Sequence, residues 1–254
     1  MKRILSVLFA AALTMGVEVS AQQLSNLNFD TWSKSGGAWN LMKKDTPEEE
    51  RVWDTANRGT CIIGINGTKP EYEHVAISGP GKAAVKMESH KAFGKFIAGN
   101  LYTGKYLRTV NLKGAEMDFG TPFSARPKSL CGYVHYIPAT VTSVQKPFLD
   151  LKGSKDVCRI EIVLADWDKP LNYNTTKDPM PDYSSDPHVI GWGYLDLTED
   201  TGGYIPIDIP IVYRSDRTPT YIHITLTSSK NGAFFTGGAG STLYADEFRL
   251  TYHD

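Results

Sequence analysis

The chain has 254 residues, with 27 basic and 28 acidic side chains and a formal net charge of −1. At a pI near 6.6 it has no basic field to attract nucleic acid or an anionic membrane, so neither is expected as a partner. Its three cysteines, Cys61, Cys131 and Cys158, show neither CxxC spacing nor a histidine pattern for zinc, leaving no bridge or a Cys131 to Cys158 bridge as the alternatives.

Residues 1–21 read as a secretory signal peptide. A basic pair at Lys2 and Arg3 precedes an apolar run from Ile4 to Val17, and Val19-Ser20-Ala21 forms a small-residue cleavage site. The run is shorter than the ~20 residues of a membrane span, so no integral membrane segment is expected once it is removed. No cysteine lies near the cleavage point, so a lipid anchor is not expected, and the product is placed in the periplasm, at the cell surface or outside. Residues 22–254 are expected to form one domain, because all-β sandwiches reach this length as single units.

In chain order, Leu24 to Trp32 reads as a first strand with Leu27 and Phe29 on one face and Asn28, Asp30 and Trp32 on the other. One short helix is expected near residues 47–54, with Thr46 as N-cap, Pro47 at the first helical position and Glu49 three residues past the cap. Cys61 to Ile65 and Glu73 to Ser78 are short strand candidates. Ala83, Val85 and Met87 alternate with polar neighbours, as do the apolar positions of Leu130 to Ile137, Cys158 to Leu164, Val189 to Leu197 and Thr220 to Thr227. Tyr204 to Tyr213 carries Pro206 and Pro210 on one face, which confines it to a sheet edge. The irregular stretch Trp167 to Pro187 far exceeds the ~4–6 residues of an ordinary connection, and its aromatics suggest a functional loop. In the last strand Leu243 and Ala245 keep one alternation while Phe248 and Leu250 keep the other. A β-bulge at Asp246 and Glu247 would absorb that slip, and a fully buried strand without a bulge is the alternative.

Roughly ten short strands, each with an apolar face and without crossover helices, must bury those faces against one another. The expected fold is all-β, a two-sheet antiparallel sandwich or jelly roll.

Several phrases read together point further: FDTW at Phe29, VWDTAN at Val52, AAVKMES at Ala83, IAGNLYTGKY at Ile97, FGTPFSARPKSLCGYVHY at Phe119 and SSKNGAFFTGGAGSTLYADEFRLTY from Ser228. In this order and spacing the chain resembles the putative carbohydrate metabolism domain family of exported bacterial proteins. The resemblance implies a jelly roll similar to carbohydrate-binding modules, working on or near glycans. It also implies a structural calcium ion where the chain ends meet, held by Asn28, Asp30 and Asp246, as suits a hard cation.

No GxSxG, HExxH, P-loop or dinucleotide fingerprint occurs, so no enzyme class follows from a motif. Glycoside hydrolysis needs two facing carboxyls, and Glu88, Glu161, Asp166, Asp168 and Asp196 are candidates that spacing alone does not pair. Sugar sites combine aromatic platforms with a few polar partners. The available platforms are Trp53 with Asn57, Tyr133 with His135, Trp167 and Trp192, each with a buried core position as its competing reading. Arg126, extended before Pro127, suits a carboxylate from a core-edge acid or an acidic sugar. The expectation is a monomeric, exported, non-catalytic glycan-binding protein, with a glycoside hydrolase or lyase and a surface adhesin as alternatives.

Overall fold

The computed structural model describes residues 21–111 and 113–253; residues 1–20, which hold all but the last residue of the expected signal peptide, lie outside them. Every pairing is antiparallel. A narrow sheet runs Ile205–Pro210, Ser129–Ile137, Thr242–Thr251, Ala84–Glu88, Thr68–Glu71. A wide sheet runs Leu171–Asn174, Gly114–Phe119, Asn100–Val110, Tyr221–Thr227, Cys158–Ala165, Val189–Leu197, Val212–Tyr213, with Trp53–Asp54 and Thr121–Pro122 added at its side. Followed from Ala84–Glu88 through its eight main strands, the chain alternates between the sheets except from Cys158–Ala165 to Val189–Leu197 within the wide one. The eight main strands thereby take the two interleaved four-strand orders of a jelly roll.

The period-2 alternation is what builds the core. Cys158, Ile160, Ile162 and Leu164 with Ile222, Ile224 and Leu226 face Leu130, Val134, Tyr136, Leu243 and Ala245 across the sandwich in one continuous buried cluster. Ile205–Pro210 pairs with one neighbour only, its two prolines turned to the exposed side, as a strand unable to donate at those positions must.

The bulge in the last strand is present. Tyr133 stands opposite Asp246 and Cys131 opposite Arg249, so one extra residue is absorbed there. Glu247 adopts φ +50°, and Phe248 turns inward over Gly132, where an added Cβ would lie 2.1 Å from the ring. The bare backbone at Gly132 is therefore the seat of the shifted phenylalanine.

Local chemistry overrides several expectations. Leu24 to Trp32 is a series of turns rather than a strand, closed by Asn26, whose side chain bonds both Thr31 N (2.9 Å) and Thr31 O (2.9 Å). Leu27 and Phe29 still enter the core. The expected helix over 47–54 is a single 3-10 turn, Glu48–Glu50, without a side-chain cap. Burial of Trp53 and its pairing with Thr103 extend the chain there instead, and the α-helical turn follows at Asn57–Thr60. Cys61–Ile63 continues as 3-10 rather than strand. Glu73 to Ser78 is irregular because it crosses the narrow sheet, with Ala76 N donating to Asp246 and Tyr204 OH to His74 O.

The segment from Trp167 does not hang free. Leu171–Asn174 adds a strand to Gly114–Phe119, and Trp167 and Tyr183 pack with Val163, Ala165 and Val189 on the outer face of the wide sheet. The three cysteines are free thiols, Cys131 on the narrow sheet and Cys158 on the wide one.

Candidate functional site

The residues expected to bind a ligand are scattered. Trp53 is 1% exposed and donates to Ser25 O at 2.9 Å, a core residue rather than a platform. Asn57, also 1% exposed, binds the carbonyls of Trp39 and Thr68. Arg126 pairs with no carboxylate among the described residues; it donates to the carbonyls of Arg217 and Ser215 and lies 4.1 Å over the Tyr213 ring. Trp167 is buried beneath its own loop, with Nε1 3.3 Å from Asp186. Trp53, Asn57 and Trp167 are drawn inward because large rings and planar amides satisfy themselves against nearby acceptors at little desolvation cost, while Arg126 stays partly exposed.

Of the three residues expected to share a calcium ion, Asn28 and Asp30 bond each other and their neighbours, while Asp246 keeps a buried Oδ1 without a partner among the described residues. Asp30 accepts from Asn28 at 2.5 Å and from Ala83 N at 2.9 Å, and pairs with Lys82 at 3.0 Å. The same ammonium pairs with Glu247, so a lysine supplies the positive charge where two carboxylates meet. Asp246 is bound separately, by Ala76 N at 2.7 Å. Among the described residues no group of three His, Cys, Asp or Glu could hold a metal ion.

Tyr133 stays half-buried on the outer face of the narrow sheet, next to a ring cluster of His74, His135, Tyr204 and Tyr244. His74 Nε2 and His135 Nδ1 lie 2.7 Å apart. Burial and the neighbouring His74 lower the His135 pKa, against the pull of Asp200. The cluster anchors the crossing segment over that sheet.

Trp192 alone among the expected platforms heads a polar assembly that reaches solvent. On the outer face of the wide sheet Trp192 and Tyr194, two apart on one strand, stack at 5.1 Å. The Arg159 guanidinium lies 4.3 Å over the Tyr194 ring and Arg214 5.8 Å over Trp192, a ladder that holds both rings still. Tyr194 nonetheless remains 47% exposed.

Two carboxyls stand beside these rings, brought together by cross-strand register. Arg159 faces Asp196, and Glu161 faces Tyr194. Arg159 binds Asp196 through two nitrogens at 2.7 and 2.8 Å and lies 3.7 Å from Glu161. Lys230 reaches Asp196 from the glycine-rich loop at 2.8 Å. Burial opposes the charge on Asp196, but Arg159 and Lys230 outweigh it and hold its pKa low. Burial dominates at Glu161 and raises its pKa, despite the bond donated by Trp192 Nε1 at 2.9 Å. One acid is thus eased towards its charged form and fully bonded, while its neighbour is harder to ionise, with Oε2 unpartnered among the described residues.

Sequence reasoning named Trp192, Glu161 and Asp196 without joining them, and missed Tyr194, Arg159 and Lys230. The alternation Trp192, Tyr194, Asp196 was a usable signal for one strand; the partner across the ladder was not. Two cavities, of about 480 and 440 Å³, open elsewhere. The assembly around Trp192 is a strip along a sheet face, the form an extended polymer requires rather than the enclosure a small molecule does.

The chain matches the family described as Putative carbohydrate metabolism domain over residues 28–251. No curated protein matches it. Among solved structures, it is similar to a putative glycoside hydrolase from Bacteroides thetaiotaomicron, 20% identical, over 89% of this chain and 70% of that one at a TM-score of 0.67. It is similar also to a putative glycoside hydrolase from Bacteroides vulgatus, 17% identical, over 88% of this chain and 96% of that one at a TM-score of 0.64. At these identities the likeness is one of fold.

Proposed function

The chain belongs to the putative carbohydrate metabolism domain family, and from that membership we propose that it binds a glycan along the outer face of the wide sheet without cleaving it. The observation that carries this reading is the Trp192 and Tyr194 strip flanked by Arg159, Glu161 and Lys230. Apolar C–H faces of a sugar lie against the rings, and its hydroxyls bond the Glu161 carboxyl and the cations. Ring positions fixed by the arginine ladder lower the ordering cost of binding.

Asp196 argues for binding over hydrolysis, since both of its oxygens are already committed to Arg159 and Lys230. A nucleophile or general base needs a free lone pair aimed at substrate. Trp192→Ala and Tyr194→Ala should each weaken retention on polysaccharide gels about tenfold, with melting temperatures close to wild type. Loss of melting temperature in parallel with loss of binding would make the strip merely structural.

The second reading is a glycoside hydrolase, favoured by two neighbouring carboxyls whose pKa values are pushed in opposite directions, the pattern of an acid and its charged partner. It takes first place if wild-type protein releases reducing ends over time and Glu161→Gln abolishes the release. Export belongs to the same proposal, supported by the N-terminal residues; no described helix is long and apolar enough to cross a membrane. Mass spectrometry of the secreted protein should give Gln22 as its first residue, and retention of Met1 would overturn the processing.

A further inference from the structure

The glycine-rich loop from Ser228 to Ser241 forms part of a second concave feature, away from Trp192. A cavity of about 480 Å³ is lined by Lys91, Lys95, Lys146 and Lys152, with Phe234 and Phe235 among its walls and no acidic residue. Each of the four lysines is exposed, and none forms an ion pair among the described residues. In a chain with 27 basic and 28 acidic side chains, four cations around one cavity without a counter-charge is a local excess that composition conceals.

The walls are preorganised. Asp156, 5% exposed, accepts from Ser229 Oγ at 2.5 Å, Ser241 Oγ at 2.8 Å and Gly238 N at 2.7 Å, fixing the loop at both ends. Phe235 is held at φ +52°, a conformation a bulky residue adopts only where its surroundings impose it. Phe234 packs edge-on to Phe148 at 5.2 Å, and Lys95 lies 5.6 Å from the Phe235 ring centre. Apolar ring surface and ammonium groups therefore line the same cavity.

We propose that this cavity is a second binding site, for an anionic oligosaccharide: a sugar whose C–H face meets Phe234 and Phe235 and whose carboxylates or sulfates meet the four lysines. Its volume is in the range of ligand pockets, ~300–1,000 Å³, and admits more than one sugar ring. Lysine suits it as a mobile point charge able to meet either carboxylate or sulfate. The site does not depend on the Trp192 strip, and the two are tested apart.

The experiment is calorimetric titration of the secreted chain with tetragalacturonate, its methyl-esterified neutral counterpart, a sulfated tetrasaccharide, and inorganic sulfate. The carboxylated or the sulfated ligand should bind, the better of them naming the acid, and Lys95→Gln with Lys146→Gln should weaken it about tenfold. Affinity should fall as salt rises, and Trp192→Ala should leave it unchanged. Since both lysines are exposed, the double variant should melt as wild type does. Equal binding of the neutral ester, an unaffected double variant, or inorganic sulfate binding as tightly as the saccharides would each overturn the proposal. A Trp192→Ala variant that loses anionic and neutral ligands together would overturn the separateness of the two sites.

Discussion

Trp53→Ala should destabilise the chain by ~3–5 kcal/mol, the cost of deleting a large ring from a core that cannot collapse around the void. Trp53 is 1% exposed, packs edge-on to Phe29 at 5.7 Å, and donates Nε1 to Ser25 O. Three losses therefore coincide: buried area, an aromatic pair and a carbonyl left without its donor. For a domain of this size each kcal/mol lowers Tm by roughly 2–4 °C, so a fall of about 6–20 °C is expected by calorimetry. Trp53→Phe should recover part of it by refilling volume without restoring the bond. A Trp53→Ala protein that melts like wild type and loses glycan retention would return this residue to the binding surface.

His223 should make the chain lose about 3 kcal/mol of stability as pH falls from neutrality towards 4. The ring is 1% exposed and stacks on Phe119 at 4.4 Å. Its Nδ1 donates to Thr103 O at 3.3 Å and its Nε2 accepts from Thr225 Oγ1 at 2.6 Å, a pattern that fits the neutral tautomer. Burial pushes its pKa down to about 4, outweighing the Thr103 bond. The unfolded chain takes up this proton near its ordinary value of ~6.5 and the folded chain only near 4, so acid favours unfolding across that window. The raised pKa values of Asp54, Asp156, Glu161 and Asp246, due first to burial, act the other way, favouring the fold as pH falls. Comparison with His223→Gln, which keeps a donor and an acceptor without the titration, isolates the histidine. Urea midpoints should converge between wild type and variant as pH drops, and parallel curves would remove His223 as the cause.

The sequence disclosed what depends on alternation. The sandwich, the proline-bearing edge strand and the bulge at Asp246 and Glu247 all follow from which residues repeat at period 2, because one face must be apolar wherever a strand covers the core. Alternation fails where both faces are buried. The first half of Asn100–Val110 is almost wholly covered, and its strand was not foreseen. It fails again where a short polar side chain captures the backbone, as Asn26 does with Thr31. The candidate site was legible as separate residues only. Glu161, Tyr194 and Asp196 meet because Cys158–Ala165 and Val189–Leu197 pair in one particular register, and a register that turns over a loop of more than twenty residues leaves no local trace.

The position of Thr242–Thr251 governs the order in which the molecule can be completed. This strand lies inside the narrow sheet, between Ser129–Ile137 and Ala84–Glu88, and Leu250 exchanges two bonds with the Gln23 side chain near the other end of the chain. Of the described strands it is the last to be made. Until then the narrow sheet is split into two halves that cannot bond each other, and Gln23 lacks its partner Leu250. Contacts of such sequence separation also form slowly. The domain therefore stays open until its last strand is in place, whatever the order in which the earlier strands form.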